Sequence, residues 1–424
     1  LDLLSYVKTI DMEGFFTKKE TQSYSIVNGK IHTCGTCGLY TRVNTPKMKP
    51  YGNFRKRIMN IGEVPGEIED KVGKPWQGQA GQLLQKTYQK LGIDLFEDCI
   101  NINAVNCRTV TSSGKSRPPT GTEITCCRAS LMRFIKQYKP HTIILFGYVA
   151  VQAVIAHRWQ KDLGGFNKWR GWNIPDDDIH AWVCPVFHPK YVLHYDTPEI
   201  MKIWENDLRQ AIGTNNIPLP TYTEPEICII DDLTFLDTIK SGRVSIDYET
   251  TGLKPYQFSK NHRIVAMSVS PNENIAYSFL LPEKRKYLRP IKRLLMNKGV
   301  QKMAHNMKFE DVWSRVYLES PVRNWYWDSM LAAHILDNRS GITGLKFQTY
   351  VNFGVVDYSS EINRYLTAIN KKDGNSINSI DELLTTKQGV KKLLTYVGLD
   401  TIYQYRLALK QIKQITELEN DSNN

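Results

Sequence analysis

The chain has no run of about 18 apolar residues, the length a helix needs to cross a bilayer. Its opening stretch, LDLLSYVKTIDMEGFF, places acids where a secretory signal carries basic residues followed by a long apolar core. Cysteine is scarce: 8 in 424 residues are too few for a disulfide scaffold, which leaves metal binding as the better use of any close pair. No internal repeat is present, so a solenoid is excluded. Together these absences exclude a membrane-spanning helix bundle and a disulfide-stapled extracellular protein, and the expected setting is cytoplasmic with no membrane partner. The first residue is Leu rather than Met, the mark of a chain that is processed or part of something longer.

Basic residues are abundant. Fifty-five Lys and Arg against 43 Asp and Glu give a formal charge of +12, which favours a polyanionic partner such as nucleic acid. The length allows two domains, each with its own core. From about residue 57 the apolar run IMNIGEV, the amphipathic GQAGQLLQKTYQKLG, CININ, LMRFIKQY and TIILFG alternate, the pattern of a parallel α/β sheet covered by helices on both faces. VCPVF and IMKIWENDLRQAI extend it as a strand and a helix. GTNNIPLPTYTEPE is rich in Pro, Thr and Asn and reads as a linker. Beyond it, RVSIDYET, RIVAMSVS and NIAYSFLL are three successive strand-like runs, followed by mostly helical sequence. The expected division is an N-terminal segment 1–29, a first domain 30–212, a linker 213–227 and a second domain 228–424.

Cys34 and Cys37 form CGTCG, whose gap of two lets both thiolates reach one metal. Cys107 is expected at a strand end, and Cys126 and Cys127 at a helix start. One CxxC with widely spaced single cysteines suits a cubane [4Fe–4S] cluster, with zinc and buried free thiols as the open alternatives. The stretch from Gly62 to Leu84, GEVPGEIEDKVGKPWQGQAGQLL, closely resembles the signature of the family 4 uracil-DNA glycosylases. NAVNC, EITCCRASL and FHP follow in that family's order. The resemblance covers about residues 30–210. It implies a three-layer α/β/α domain in which Cys34, Cys37, Cys107 and Cys127 hold a [4Fe–4S] cluster. The resemblance prefers Cys127 to Cys126 because it lies four residues after Glu123, as the family's last ligand does after its Glu.

A glycosylase must extrude the base, stack it, read its edge and stabilise charge as the N-glycosidic bond breaks. The resemblance assigns stacking to Trp76, which stands where the family has Phe, and edge reading to Asn103. Glu63 would position or polarise water, Glu69 is the motif's second carboxylate, and His188 would stabilise anionic charge near the uracil O2. Each residue alone is ordinary, a turn Glu or a core Trp; their joint order is not. Trp76, Gln77, Asn106, Lys190 and the insert TVTSSGKS depart from the family pattern. These departures leave open uracil against a modified uracil, and excision against recognition alone.

In SIDYETTGL, Asp247 and Glu249 alternate along a strand and point to one face about 7 Å apart, a spacing that suits divalent metals. DxE alone is most often a solvated strand end. With AHNMKFED and YVGLD downstream, the segment 228–415 resembles the DEDD exonucleases, specifically the proofreading domain of family A DNA polymerases. The resemblance implies a ribonuclease H-like fold and a cage of Asp247, Glu249, Glu310 and Asp400 around two Mg²⁺ or Mn²⁺, with Asp311 as the alternative to Glu310. Tyr396 would orient the attacking water. The implied substrates are single-stranded 3′ ends and uracil-type bases in DNA. The implied partners are a polymerase domain or replisome proteins of a phage, in the host cytoplasm. The sequence ends about 24 residues after Asp400, so a polymerase would reside in another chain or in a longer version of this one.

Overall fold

The computed structural model describes residues 8–9, 25–27, 30–156, 158–159, 161–356 and 358–422. Most of the N-terminal segment 1–29 lies outside them. The chain divides into two compact units. One comprises residues 18–221 with 350–356, and the other 1–17, 222–349 and 357–424.

The first unit is built on a five-stranded sheet. In chain order it contains β1 (Ile58–Gly62), α1 (Glu67–Val72), α2 (Gln79–Lys90), β2 (Cys99–Asn103), α3 (Gly121–Tyr138), β3 (Thr142–Phe146), α4 (Tyr148–Val154), β4 (Ile174–Asp176), β5 (Ala181–Val186), α5 (Pro189–Tyr195) and α6 (Pro198–Gly213). The strand order is β2-β1-β3-β5-β4, parallel throughout except for the β4/β5 pair. Every residue of β1, β2 and β3 is buried, as expected for strands covered on both faces. The antiparallel edge strand β4 was not foreseen, because three residues with a central Pro carry no strand pattern. α3 starts with a capping box: Thr120 accepts from the Glu123 N–H while the Glu123 carboxylate accepts from the Thr120 N–H. Arg117 grips the same carboxylate with both terminal nitrogens.

The second unit contains β6 (Glu226–Ile229), β7 (Gly242–Thr250), β8 (Ile264–Ser270), β9 (Ile275–Leu280), α7 (Arg289–Met296), β10 (Val300–Ala304), α8 (Met307–Val316), β11 (Trp325–Asp328), α9 (Ser329–Leu336), α10 (Leu345–Phe353) and α11 (Lys387–Ser422). Its seven-stranded sheet runs from the short strand Lys8–Thr9 through β6-β9-β8-β7-β10 to β11. β7, β8 and β9 are an antiparallel meander, while β10 joins β7, and β11 joins β10, in parallel. On β7 the alternation assigns Val244, Ile246 and Tyr248 to a core with Leu294, Leu295 and Trp313, leaving Asp247 and Glu249 on the opposite face. There α11 packs: Thr401 meets Ser268 at 2.9 Å, and Gln404 donates to the carbonyls of Ile246 and Met303.

Two boundaries differ from expectation. The linker 213–227 is shorter, because Gly213 still closes α6 and β6 begins at Glu226. Lys8–Thr9 pairs with β6, so these two residues of the N-terminal segment join the second unit's sheet, covering edge N–H and C=O groups of β6.

Candidate active sites

Among the described residues, one group of His, Cys, Asp and Glu brings its ligand atoms within 4.8 Å of one another: Asp247, Glu249 and Asp400. The first two come from β7 and the third from α11. Glu310, in the first turn of α8, is 2% exposed, and its Oε2 is buried without a partner. Burial, and next the negative charge of Asp247, push its carboxyl well above the usual range. Burial and then neighbouring carboxylates do the same to Asp247 and Glu249. Asp311 points elsewhere, accepting from Arg315 at 2.5 Å and from the Trp325 indole at 3.2 Å. The turn that aims Glu310 is held by Asp328. Its carboxylate accepts from the N–H groups of Asn306 and Met307 at the start of α8 and of Met330 and Leu331 at the start of α9.

Tyr396 lies one turn before Asp400 on α11, and burial, with the Asp400 charge next, raises its hydroxyl well above the ordinary range. Two further residues reach Asp400 that the motifs did not identify: the Tyr358 hydroxyl donates to it, and the Lys346 ammonium pairs with it. Lys346 lies 3.9 Å from the Tyr358 ring centroid and 4.1 Å from that of Tyr396. Burial pushes its pKa down against the pull of the carboxylates. One ammonium thus faces several crowded carboxyl groups, an arrangement that calls for added cations.

In the first unit, the C-terminal ends of β1, β2, β3 and β5 present a second constellation. A Cβ on Gly62 would stand 2.6 Å from Asn103 Oδ1 and 3.1 Å from the Trp76 ring, and one on Gly147 would stand 2.5 Å from Glu63 Oε1 and 3.2 Å from His188 Cβ. Both glycines therefore let these four side chains close on one space. The Trp76 ring meets Phe146 edge-on at 5.2 Å and His188 at 5.5 Å. Its Nε1 is buried without a partner. Among the described residues, the Asn103 side chain donates to the Met48 thioether, at 3.9 Å. His188 Nδ1 accepts from the Lys190 N–H, so in the neutral ring the proton sits on Nε2. Packing around this ring lowers its pKa to about 4. Burial raises the Glu63 carboxyl, opposed by the Val149 N–H donating at 3.2 Å.

Glu69 is engaged differently. Its Oε1 accepts from the N–H groups of Gln77 and Gly78 at 2.9 and 2.8 Å, which fixes the loop presenting Trp76 at a left-handed φ of 60°. Asp70, which the motifs passed over, similarly ties down Asn44 and Thr45.

The cysteines gather from three segments. Cys34 and Cys37 form one helical turn closed by Gly38. Cys107 follows β2 and accepts from the Lys47 N–H at 3.2 Å. Cys126 and Cys127 lie in the second turn of α3, whose N-terminal region packs on the CGTC turn. Cys127 is pushed up to about 12 by burial, with Cys37, Cys107 and Cys34 adding to the rise; Cys126 is pushed to about 11 by burial, with Cys37 and Cys34 adding to it. All five are free thiols. An all-sulfur donor set whose members interact but form no disulfide fits a soft metal or an iron–sulfur cluster.

Sequence comparison matches these units to known proteins. Residues 49–209 match the uracil DNA glycosylase superfamily. The type-4 uracil-DNA glycosylase of Saccharolobus solfataricus is 32% identical over 205 residues, covering 46% of this chain and 90% of that protein. The chain belongs to the type-4 uracil-DNA glycosylase family. To that family's domain it adds a second, because residues 233–416 match the 3′-5′ exonuclease family of the DNA polymerase A type. The DNA polymerase of Bacillus phage SP01 is 24% identical over 328 residues, covering 70% of this chain and 34% of that one. Among solved structures, Brucella melitensis NrnC with bound Mg²⁺ has 18% identity and a TM-score of 0.32, covering 46% of this chain and 80% of that one. The glycosylase-family domain and the exonuclease domain are thus fused, and the domain pair resembles part of a phage DNA polymerase. No described helix is long and apolar enough to cross a membrane.

Proposed function

We propose that the chain removes 3′-terminal nucleotides from DNA at one site and excises uracil-type bases at the other. The observation that carries the nuclease half is the Asp247–Glu249–Asp400 group within 4.8 Å, backed by the unpartnered Glu310 carboxyl. Two Mg²⁺ or Mn²⁺ held by these four residues would supply Lewis-acid stabilisation of in-line phosphoryl transfer. Tyr396, one helical turn before Asp400, orients the attacking water. Lys346 supplies positive charge beside Asp400, and Asp328 fixes the turn that delivers Glu310.

At the glycosylase pocket, Trp76 stacks against the flipped base and Asn103 offers donor and acceptor to its edge. Neutral His188 donates from Nε2 to the oxygen where anionic charge develops, and Glu63 holds a water for the sugar carbon. Glu69 acts through the loop it clamps and is a positioning residue. Cys34, Cys37, Cys107 and Cys127 would hold the [4Fe–4S] cluster, with Cys126 beside them.

A second reading, in which the pocket recognises a base without excising it, draws on Trp76: its wide indole rests against Gly62 with a buried, unpaired N–H. Incubation with a uracil-containing oligonucleotide separates the two. Abasic product supports excision, and none with an intact cluster leaves recognition. Metal-dependent loss of 3′ nucleotides that persists in Asp247→Ala would refute the nuclease assignment. A polymerase, in the same or another chain, is the partner such a pair would serve.

A further inference from the structure

Residues 222–424 carry 27 Lys and Arg and 23 Asp and Glu, but the segment 284–298, KRKYLRPIKRLLMNK, holds 7 of the basic residues and no acid. Without it the count is 20 against 23. Summed outside this one element, a nuclease unit that must attract a polyanion is net acidic by three charges. That element is α7 with its approach. Pro290, Ile291, Leu294 and Leu295 are buried in the core, while Lys284, Lys286, Arg289 and Lys298 are exposed and Lys292 half-exposed. Only Arg285 and Arg293 of the seven form ion pairs among the described residues, with Glu319 and Asp237. Arg289, Lys292, Arg293 and Met296 recur at helical spacing and, with Asn297, line a shallow cavity of about 400 Å³.

The placement matters as much as the charge. β9 runs in the same direction as β7 and β10, so the segment leaves the sheet at the end that carries Asp247 and Glu249. α7 then packs in the core of Val244 and Ile246, on the face opposite α11 and Asp400. A short single strand entering the cage on the α11 side has no reach to this face. The duplex from which that strand emerges is a wider object, with one phosphate charge per about 1.7 Å of axis.

We propose that the basic face of α7 binds the phosphate backbone of the duplex behind the 3′ end being trimmed. Lys284, Lys286, Arg289 and Lys292 form the contact. The proposal rests on reading this unit as a nuclease, and its test is independent of cleavage. Binding of the full chain to a fluorescein-labelled duplex is measured by anisotropy across a salt series without divalent metal. Replacing Lys286, Arg289 and Lys292 by Ala should lower the slope of log K against log[salt] by roughly 2.5 to 3 and weaken binding about tenfold or more at low salt. The variant should keep the wild-type rate on a trinucleotide. Replacing the exposed Lys371, Lys372 and Lys387 by Ala, which removes equal charge elsewhere, should leave the slope near wild type.

Equal slopes in the two triple variants would overturn the proposal. So would an unchanged slope with lost binding to phosphatidylserine vesicles, which would make α7 a membrane surface. Lys286→Ala alone, at an exposed site outside the core, should lower the slope by about 0.9 and decides the matter if the triple variant misfolds. Failure of the wild-type chain to release 3′ nucleotides would undo the nuclease reading instead.

Discussion

The two sites differ in what they lack before substrate arrives. The glycosylase pocket is closed on itself: burial disfavours charge on His188, Asn103 and Trp76 are buried, and Gly62 and Gly147 let the pocket side chains come together. The exonuclease cage is the opposite. Its carboxyls are raised by burial and by one another, and Lys346 supplies a single positive charge among them. One site depends on fixed shape and the other on cations, so perturbations should separate them.

The largest separation is expected from Asp247→Ala. Loss of a metal ligand forfeits several kcal/mol of transition-state stabilisation, so 3′-nucleotide release should fall roughly 10³-fold while uracil excision is unchanged. A matching fall in excision would join the sites. Next, Asn103→Ala should cut excision on the order of 10²-fold and leave exonuclease rates alone, as read from abasic-site and end-label assays on one preparation.

Within the cage, Glu310→Gln should lower the rate about tenfold to a hundredfold, whereas Asp311→Asn, which loses only its Arg315 and Trp325 contacts, should stay within about twofold. A stronger effect at Asp311 would reverse the geometric choice between the two. His188 provides a pH signature. Its folded pKa lies near 4, below the ordinary 6.5, so its stabilising contribution is full above pH 6.5 and is lost as pH falls towards 4. Excision should then show no His transition at 6.5, and the pH dependence of unfolding should flatten between 4 and 6.5 in His188→Gln. The smallest effect is expected at Trp76→Phe, which removes an unpaired buried donor and part of a ring. Unfolding free energy should change by only about 1 kcal/mol, and any gain in excision would identify the indole as an obstacle.

Much of this was legible in the sequence, for physical reasons that differ by residue. Asp247 and Glu249 are readable because period-two alternation fixes their common face, and Tyr396 and Asp400 because four residues make one helical turn. Glu310 against Asp311 was not readable, since adjacent helix positions differ by rotation that only packing sets; Trp325 and Arg315 settle where Asp311 points. Lys346 lay within the motif-like TGLKFQTY, yet its contact with Asp400 depends on how α10 meets α11, 54 residues away. Tyr358 has no local signal at all. In the first unit the CxxC and the signature loop were plain, but Glu69 was read with the catalytic carboxylates. Its bonds to Gln77 and Gly78 show a loop clamp, which spacing cannot distinguish from a carboxylate facing substrate.

The central claim is that one chain carries two chemistries with opposite needs for cations. It is tested most directly with a single oligonucleotide containing uracil and a labelled 3′ end, incubated with the full chain in EDTA and in Mg²⁺. Abasic sites should form in both, and labelled 3′ nucleotides should be released only with Mg²⁺. Release in EDTA, or excision that disappears with the metal, would contradict the account.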